Sequence, residues 1–268
     1  MSRASELRRL HRPPILVLPN VWDVGSAVLV AALPGCRALA TTSSGVAASL
    51  GYPDGELIPA EEMLAAVGRI ASAVEVPVTA DLEAGYGDPA ATARTALDAG
   101  LAGLNLEDKA GSPEEHVERI CAVRAEVGAE LVLNARIDVF LHGTGGVEEA
   151  VERGNAYLAA GADCVFPIGV SDVGAIAQLA EQIDGPVNVL ATVDSPSIAE
   201  LERLGVARVT FGSGLTRAAY SAAVDAAREV LGGGTYTWLE QAVPHTELSR
   251  MLETSARMNA ASRGGAVR

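Results

Sequence analysis

Eight short runs of apolar and β-branched residues recur along the chain, each followed by a longer Ala-rich stretch of helical periodicity, and this alternation restricts the fold more than anything else in the sequence. The runs cover residues 15–18, 38–42, 76–82, 103–107, 131–136, 164–167, 186–190 and 208–211. Strand and helix in turn is the order of a parallel sheet made from βα units. Eight units suit a closed α/β structure, a (β/α)8 TIM-type barrel, and the 268 residues match the ~250 typical of that fold. An open doubly wound sheet would carry a G-x-G-x-x-G turn after its first strand. Pro19-Asn-Val-Trp-Asp-Val-Gly25 stands there instead.

The connecting stretches carry their own signals. Residues 59–70 open on a proline and place Met63, Val67 and Ile70 on one stripe. Ser112-Pro-Glu-Glu115 reads as a capping box whose helix sets Cys121 on its apolar face. After residue 211 one helical pattern, 215–231, completes the eighth unit, and the glycines 232–234 precede another at 238–258. We therefore divide the chain into a barrel domain, 1–231, and a C-terminal helical extension, 232–268. The extra helix either folds back on its own barrel or swaps onto a neighbouring subunit, and the sequence leaves both open.

A net charge of -14 argues against nucleic acid or an anionic membrane as a partner. No apolar run approaches the ~20 residues that cross a bilayer, and the first residues lack a signal peptide's apolar core. A cytoplasmic protein with reduced thiols is expected, since Cys36, Cys121 and Cys164 show no paired spacing.

Chemistry gathers where the strands end. Val78-Thr-Ala-Asp-Leu-Glu-Ala-Gly-Tyr-Gly-Asp-Pro89 reads as a buried strand with two acids two residues apart. Side chains at i and i+2 share a strand face, so Asp81 and Glu83 are expected to point the same way. A second strand ends in Asn105-Leu-Glu-Asp108 and a third in Asn134-Ala-Arg-Ile-Asp138. Carboxylates and an arginine collected at strand ends suggest a metal site facing an anionic substrate.

These stretches, with Pro19-Asn-Val-Trp-Asp23 and Thr41-Thr-Ser-Ser-Gly-Val-Ala-Ala-Ser-Leu-Gly-Tyr-Pro-Asp54, occur in the order found in the isocitrate lyase and phosphoenolpyruvate mutase superfamily, which the chain resembles. The resemblance implies a Mg2+ or Mn2+ site, a small carboxylate substrate, and a homo-oligomer, dimer or tetramer. It makes Asp81 the direct metal ligand, with Glu83, Glu107 and Asp54 holding the ion's water shell. Asp81 and Glu83 also read as ordinary strand-end caps, and Asp54 as a turn former in the loop 51–55. Of the neighbours Glu107 and Asp108 only one can face the mouth, and we assign Glu107. Arg136 resembles the arginine that grips substrate oxygens; a salt bridge to Asp138 or to a site acid is its other reading, and the two are compatible. Ser43, Ser44 and Gly45 are placed to receive a substrate carboxylate, or equally form a plain Ser/Gly turn, and Trp22 either walls the pocket or is an ordinary barrel-mouth aromatic. Gly212-Ser-Gly214 is read as a tight turn without a site role.

Two departures bear on the reaction. Lyase members of the superfamily carry a Lys-x-Cys-Gly-His loop after the Glu-Asp pair, whereas here Glu107-Asp-Lys-Ala-Gly-Ser-Pro-Glu-Glu115 runs almost directly into a helix. Cys164-Val-Phe-Pro-Ile-Gly169 lacks the glutamate common in those members. Lys109 and His116 are expected at the surface. The expectation is a metal-dependent lyase or decarboxylase acting on a small 2-oxo or 2-hydroxy acid through an enolate. Phosphorylmutase or phosphonate hydrolase activity, and a non-catalytic binding barrel, are the alternatives.

Overall fold

The computed structural model describes residues 2–264. Its elements are α1 (Arg3–Leu10), β1 (Leu16–Leu18), β2 (Asn20–Val21), α2 (Val24–Ala31), β3 (Leu39–Thr41), α3 (Ser43–Ser49), α4 (Ala60–Ser72), β4 (Val78–Asp81), α5 (Pro89–Asp98), β5 (Gly103–Glu107) and α6 (Pro113–Val127). There follow β6 (Val132–Ile137), α7 (Val139–His142), α8 (Val147–Ala159), β7 (Cys164–Pro167), α9 (Val173–Gln182), β8 (Asn188–Leu190), α10 (Ile198–Arg203), β9 (Arg208–Thr210), α11 (Gly214–Gly233) and α12 (His245–Gly264).

All ladders are parallel, and they close into a ring. β2 through β7 pair in chain order, β1 pairs β9, β9 pairs β8, and a bridge between Val165 and Val187 joins β7 to the start of β8. β1 and β2 are one barrel strand split at Pro19, which has no N–H to give to a ladder. The two pieces turn to different neighbours, and Pro19 still accepts from the Ala40 N–H at 3.0 Å. Counted this way the barrel has the eight strands expected from the sequence.

Alternation along each strand separates two interiors. On β6, Leu133, Ala135 and Ile137 join the large apolar layer between barrel and helices, while Val132 belongs to a cluster inside the barrel. That inner cluster includes Leu16, Leu18, Ala38 and Ala40, and it is sealed from below by Leu7 and Leu10 of α1. α1 is fastened there by Arg3, which donates to the carbonyls of Ala71 and Val74 at 2.9 Å each, and by Arg8 on Asp163 at 2.7 Å. Since the bottom of the barrel is plugged by hydrocarbon, the polar strand residues are left for the opposite, C-terminal mouth.

Several local expectations are corrected. Cys121 is exposed; the buried stripe of α6 is His116, Ile120, Val123 and Val127, one step round the helix from the stripe read in the sequence. His116 is thus buried, edge-on to Tyr157 at 4.6 Å between ring centroids, and burial holds its imidazole down at about 4. Ser112 caps α6 by accepting from the Glu115 N–H at 3.3 Å, and its hydroxyl donates to Glu114; among the described residues the Glu115 side chain accepts no bond from the Ser112 N–H, so the box is not closed. Trp238 and Leu239 lie in a short 3-10 turn, and α12 starts only after Pro244, as a proline requires. In this single chain α12 folds back on its own barrel: Met251 and Ser255 lie in a groove with Val28, Ala31 and Val74. No described helix is long and apolar enough to cross a membrane.

Removal of the plug is a direct test of this architecture. Leu7→Ala leaves a void in a fully buried site and is expected to cost about 2–5 kcal/mol, read as a lower urea midpoint with an unchanged slope.

Candidate active site

Strand C-terminal ends and the loops that follow them line a cavity of about 190 Å3 at the open mouth. Asp54 and Asp81 supply its acidic side, and Arg136 is the one cation in its lining. Ser43 and Ser44 follow from the β3 end, and Asn20, Asn105 and Thr210 add neutral polar groups. Phe166, Ile168 and Leu190 form an apolar wall.

Asp81 is the best-held carboxylate in the site. One oxygen accepts from both the backbone N–H and the hydroxyl of Ser43, at 3.2 and 2.9 Å. The other accepts from the Asn105 amide at 3.4 Å. Such donors fix its direction. They also occupy Ser43, which serves Asp81 and is not free for a substrate carboxylate; Ser44 remains in the lining.

Glu83 is positioned differently from expectation. β4 ends at Asp81, and Glu83 follows in a turn with φ 52, so the strand alternation that would align the two no longer applies. Its carboxylate is buried and accepts from the Tyr86 hydroxyl at 3.2 Å. Burial, with Asp54 and Asp81 close by, pushes it up to about 7. Glu107 is buried beside Arg136, and neither it nor Glu83 is part of the cavity lining. Burial outweighs the Arg136 guanidinium beside it, and Asp81, Asp138 and Glu83 add repulsion, which raises Glu107 to about 8. Arg136 ion-pairs Glu107 directly and grips Asp138 through Nε at 2.6 Å and Nη2 at 3.2 Å. The salt-bridge reading of this arginine is met, and the guanidinium also lines the cavity.

Asp108 faces away, into the protein. It accepts from Arg153, the Tyr157 hydroxyl, and the backbone N–H groups of Ala110 and Asp138 at 2.8–3.0 Å. It is a structural knot for the β5 and β6 ends.

Trp22 and Gly45 are not part of the lining. Trp22 packs against the helix-side core. A Cβ on Gly45 would come within 2.6 Å of Thr42 and 2.5 Å of Thr216, so the glycine allows α3 to approach its neighbours and does not mark a carboxylate cradle. Gly212 and Ser213, read as a plain turn, do line the cavity. Asn105 and Arg208 were given no role from the sequence. Arg208 is completely buried below the cavity, with Nε and Nη1 unpartnered among the described residues, and burial lowers it to about 10. Its Nη2 donates to Asn105 Oδ1 at 3.5 Å, as does Asn134 Nδ2 at 2.8 Å. These two donors turn the Asn105 amide so that its NH2 meets Asp81. A run of inward polar residues at i, i+2 spacing, Asn134 then Arg136 and Arg208 then Thr210, was the available signal.

The rim loops are tied together. All five described non-glycine residues with φ near +50 to +60 (Glu56, Glu83, Tyr86, Lys109 and Ala110) lie in them, a conformation disfavoured for side chains and concentrated at functional sites. Glu56 accepts from the Tyr86 N–H at 2.7 Å and from Lys109 at 2.8 Å, linking three loops. The connection from β5 to α6 is only residues 108–112.

Among the described residues no three His, Cys, Asp or Glu side chains converge to ligate one ion directly. In this arrangement Asp81, Glu83 and Glu107 do not form a preassembled three-carboxylate cage. It fits Mg2+ or Mn2+ bound by one carboxylate with the other acids holding its waters, and the raised Glu83 and Glu107 show an excess of negative charge that a divalent cation would relieve.

Comparison with known proteins places this geometry. The family model described as phosphoenolpyruvate phosphomutase matches residues 7–231. The chain belongs to the phosphoenolpyruvate mutase/isocitrate lyase superfamily. Within that superfamily it is 34% identical to the 2,3-dimethylmalate lyase of Eubacterium barkeri, over 76% of this chain and 78% of the relative. It is 35% identical to the oxaloacetate decarboxylase of Ectopseudomonas mendocina, over 68% of each. The crystal structure of phosphoenolpyruvate phosphomutase from Streptomyces platensis subsp. rosaceus superposes with a TM-score of 0.86 at 28% identity, covering 99% of both chains.

Two measurements follow from the carboxylates. Asp108→Ala strands the buried Arg153 and is expected to cost about 3–5 kcal/mol, seen in urea unfolding. Glu107 and Glu83 bind protons more tightly folded than unfolded. Between their ordinary value of 4.5 and about 7 to 8 the metal-free fold should therefore lose stability as pH rises. Glu107→Gln should flatten that decline, in urea midpoints taken in EDTA from pH 5 to 9.

Proposed function

We propose that the protein cleaves a carbon–carbon bond, by lysis or decarboxylation, in a small 2-oxo or 2-hydroxy carboxylic acid, with Mg2+ or Mn2+ held at Asp81. The observation that carries this reading is the single mouth cavity in which the Ser43-held Asp81 carboxylate and the Arg136 guanidinium share a lining. The named activities of the dimethylmalate lyase and oxaloacetate decarboxylase relatives support it. A divalent cation at Asp81 would stabilise negative charge on the substrate's carbonyl oxygen as the adjacent bond breaks.

The protein's own groups supply position and charge. Asp81 would bind the ion directly, and Asp54, Glu83 and Glu107 would orient its waters. Asp138 and Glu107 hold the Arg136 plane from two sides, and a guanidinium has five N–H donors, enough to serve both carboxylates and still meet a substrate anion. Ser44 and Thr210 offer neutral hydrogen bonds to the remaining oxygens.

Phosphorylmutase or phosphonate hydrolase activity is the second reading, favoured by the family model and the phosphomutase structure. Against it, Arg136 is the one cation lining the cavity and already faces two carboxylates, a weak receptor for a phosphoryl dianion. We also propose that the barrel domain, 1–231, works in a homo-oligomer, a dimer or tetramer, because Tyr220, Val224, Leu231 and Trp238 leave α11 and the turn after it with an exposed apolar face. Three free cysteines support a cytoplasmic setting.

A Mg2+-dependent screen of oxaloacetate, methylisocitrate, dimethylmalate and phosphonopyruvate tests the reading. We expect carbon–carbon cleavage of at least one, a fall in kcat/KM of about 10²–10³ for Arg136→Ala, and loss of both turnover and Mn2+ binding for Asp81→Ala. A metal-loaded protein inert toward the whole panel would defeat the proposal and leave the binding-only barrel.

A further inference from the structure

The two halves of the mouth differ in chemistry. In a ring of eight strands, β4 stands opposite β8, so a molecule anchored at Asp81 extends its far end toward Leu190 and, beside it, Phe166 and Ile168 on the β7 side. Alternation turns Phe166 and Leu190 inward from their strands, and Ile168 follows β7 with its N–H bonded to the Ile137 carbonyl at 3.1 Å. None of these three side chains has a hydrogen-bonding atom. A carboxylate pushed against them would lose its water with nothing in return, which is costly.

Charge sets a second limit. One substrate carboxylate can be matched at Asp81 by the bound cation and a second at Arg136. Among the lining residues no further cation is available for a third, and Asp54 at the edge would repel it. Thr210 and Ser213 bring neutral hydroxyls only. The cavity, about 190 Å3, is also smaller than the roughly 300–1,000 Å3 of ordinary ligand pockets.

We infer that the substrate is a compact 2-oxo or 2-hydroxy diacid carrying methyl-sized alkyl branches that lie on the Phe166–Ile168–Leu190 wall, and that tricarboxylates are excluded. This rests on the proposed chemistry at Asp81 and specifies its substrate class. Binding is gained through the buried alkyl carbons, and discrimination against a third carboxylate comes from its uncompensated desolvation.

Calorimetric titration of the Mg2+-saturated protein with oxalate, malate, 2-methylmalate, 2,3-dimethylmalate and isocitrate tests this. Oxalate has a chelating head and no tail, so its binding, and its loss in Asp81→Ala, report on the anchor alone. We expect affinity to rise about tenfold per methyl along the malate series and isocitrate to bind at least 100-fold more weakly than dimethylmalate. Ile168→Glu should abolish the methyl gain while oxalate still binds; Leu190→Ala, a milder change, should reduce it. Oxalate binding with malate and dimethylmalate equal, or with isocitrate tightest, overturns the inference and leaves the anchor standing. Failure of oxalate to bind overturns the anchor and the inference with it.

Discussion

Negative charge crowded onto one side of the barrel mouth is the constraint that organises the rest. Glu83 feels Asp54 and Asp81, Glu107 feels Asp81 and Glu83, and burial removes the water that would screen these two glutamates. Arg136 is pinned between Glu107 and Asp138 because that is where a cation lowers the energy most. Serine and asparagine donors converge on Asp81 for the same reason. The protein offsets the crowding only in part, since Glu83 is pushed up to about 7 and Glu107 to about 8. A divalent cation bound there would relieve it.

Support also comes from below and behind. Arg208, fully buried, has no carboxylate partner among the described residues and gives one donor to Asn105, which passes orientation on to Asp81. Asp108 draws Arg153 and Tyr157 to the back of the β5 end. Buried polar groups gain most when they form connected networks, and here the networks run from the helix layer to the residues that face the cavity.

Much of this was legible in the chain. Strand positions followed from β-branched runs, and Asp81, Glu107 and Arg136 from their place at strand ends, because the pattern there is local and has period two. What escaped depended on non-local or broken periodicity. Glu83 turned aside because its backbone leaves the strand one residue early. Cys121 and His116 exchanged places because a helix stripe read one step off reverses exposed and buried. Gly45 is a glycine on account of Thr216, more than 150 positions away in the sequence, and Trp22 left the cavity for the core. Arg208 gave only the weak signal of its i, i+2 spacing to Thr210, since a lone arginine in a strand ordinarily marks an edge or a surface.

The five-residue turn from β5 to α6 has a stereochemical consequence. With so little chain after Glu107, this connection contributes no screen between the cavity and bulk solvent. On the proposed chemistry, a carbanion released there is quenched by exchangeable water protons arriving from the open mouth, because the barrel is plugged below and one wall is apolar. Its product would then take up deuterium from D2O on the face turned to solvent.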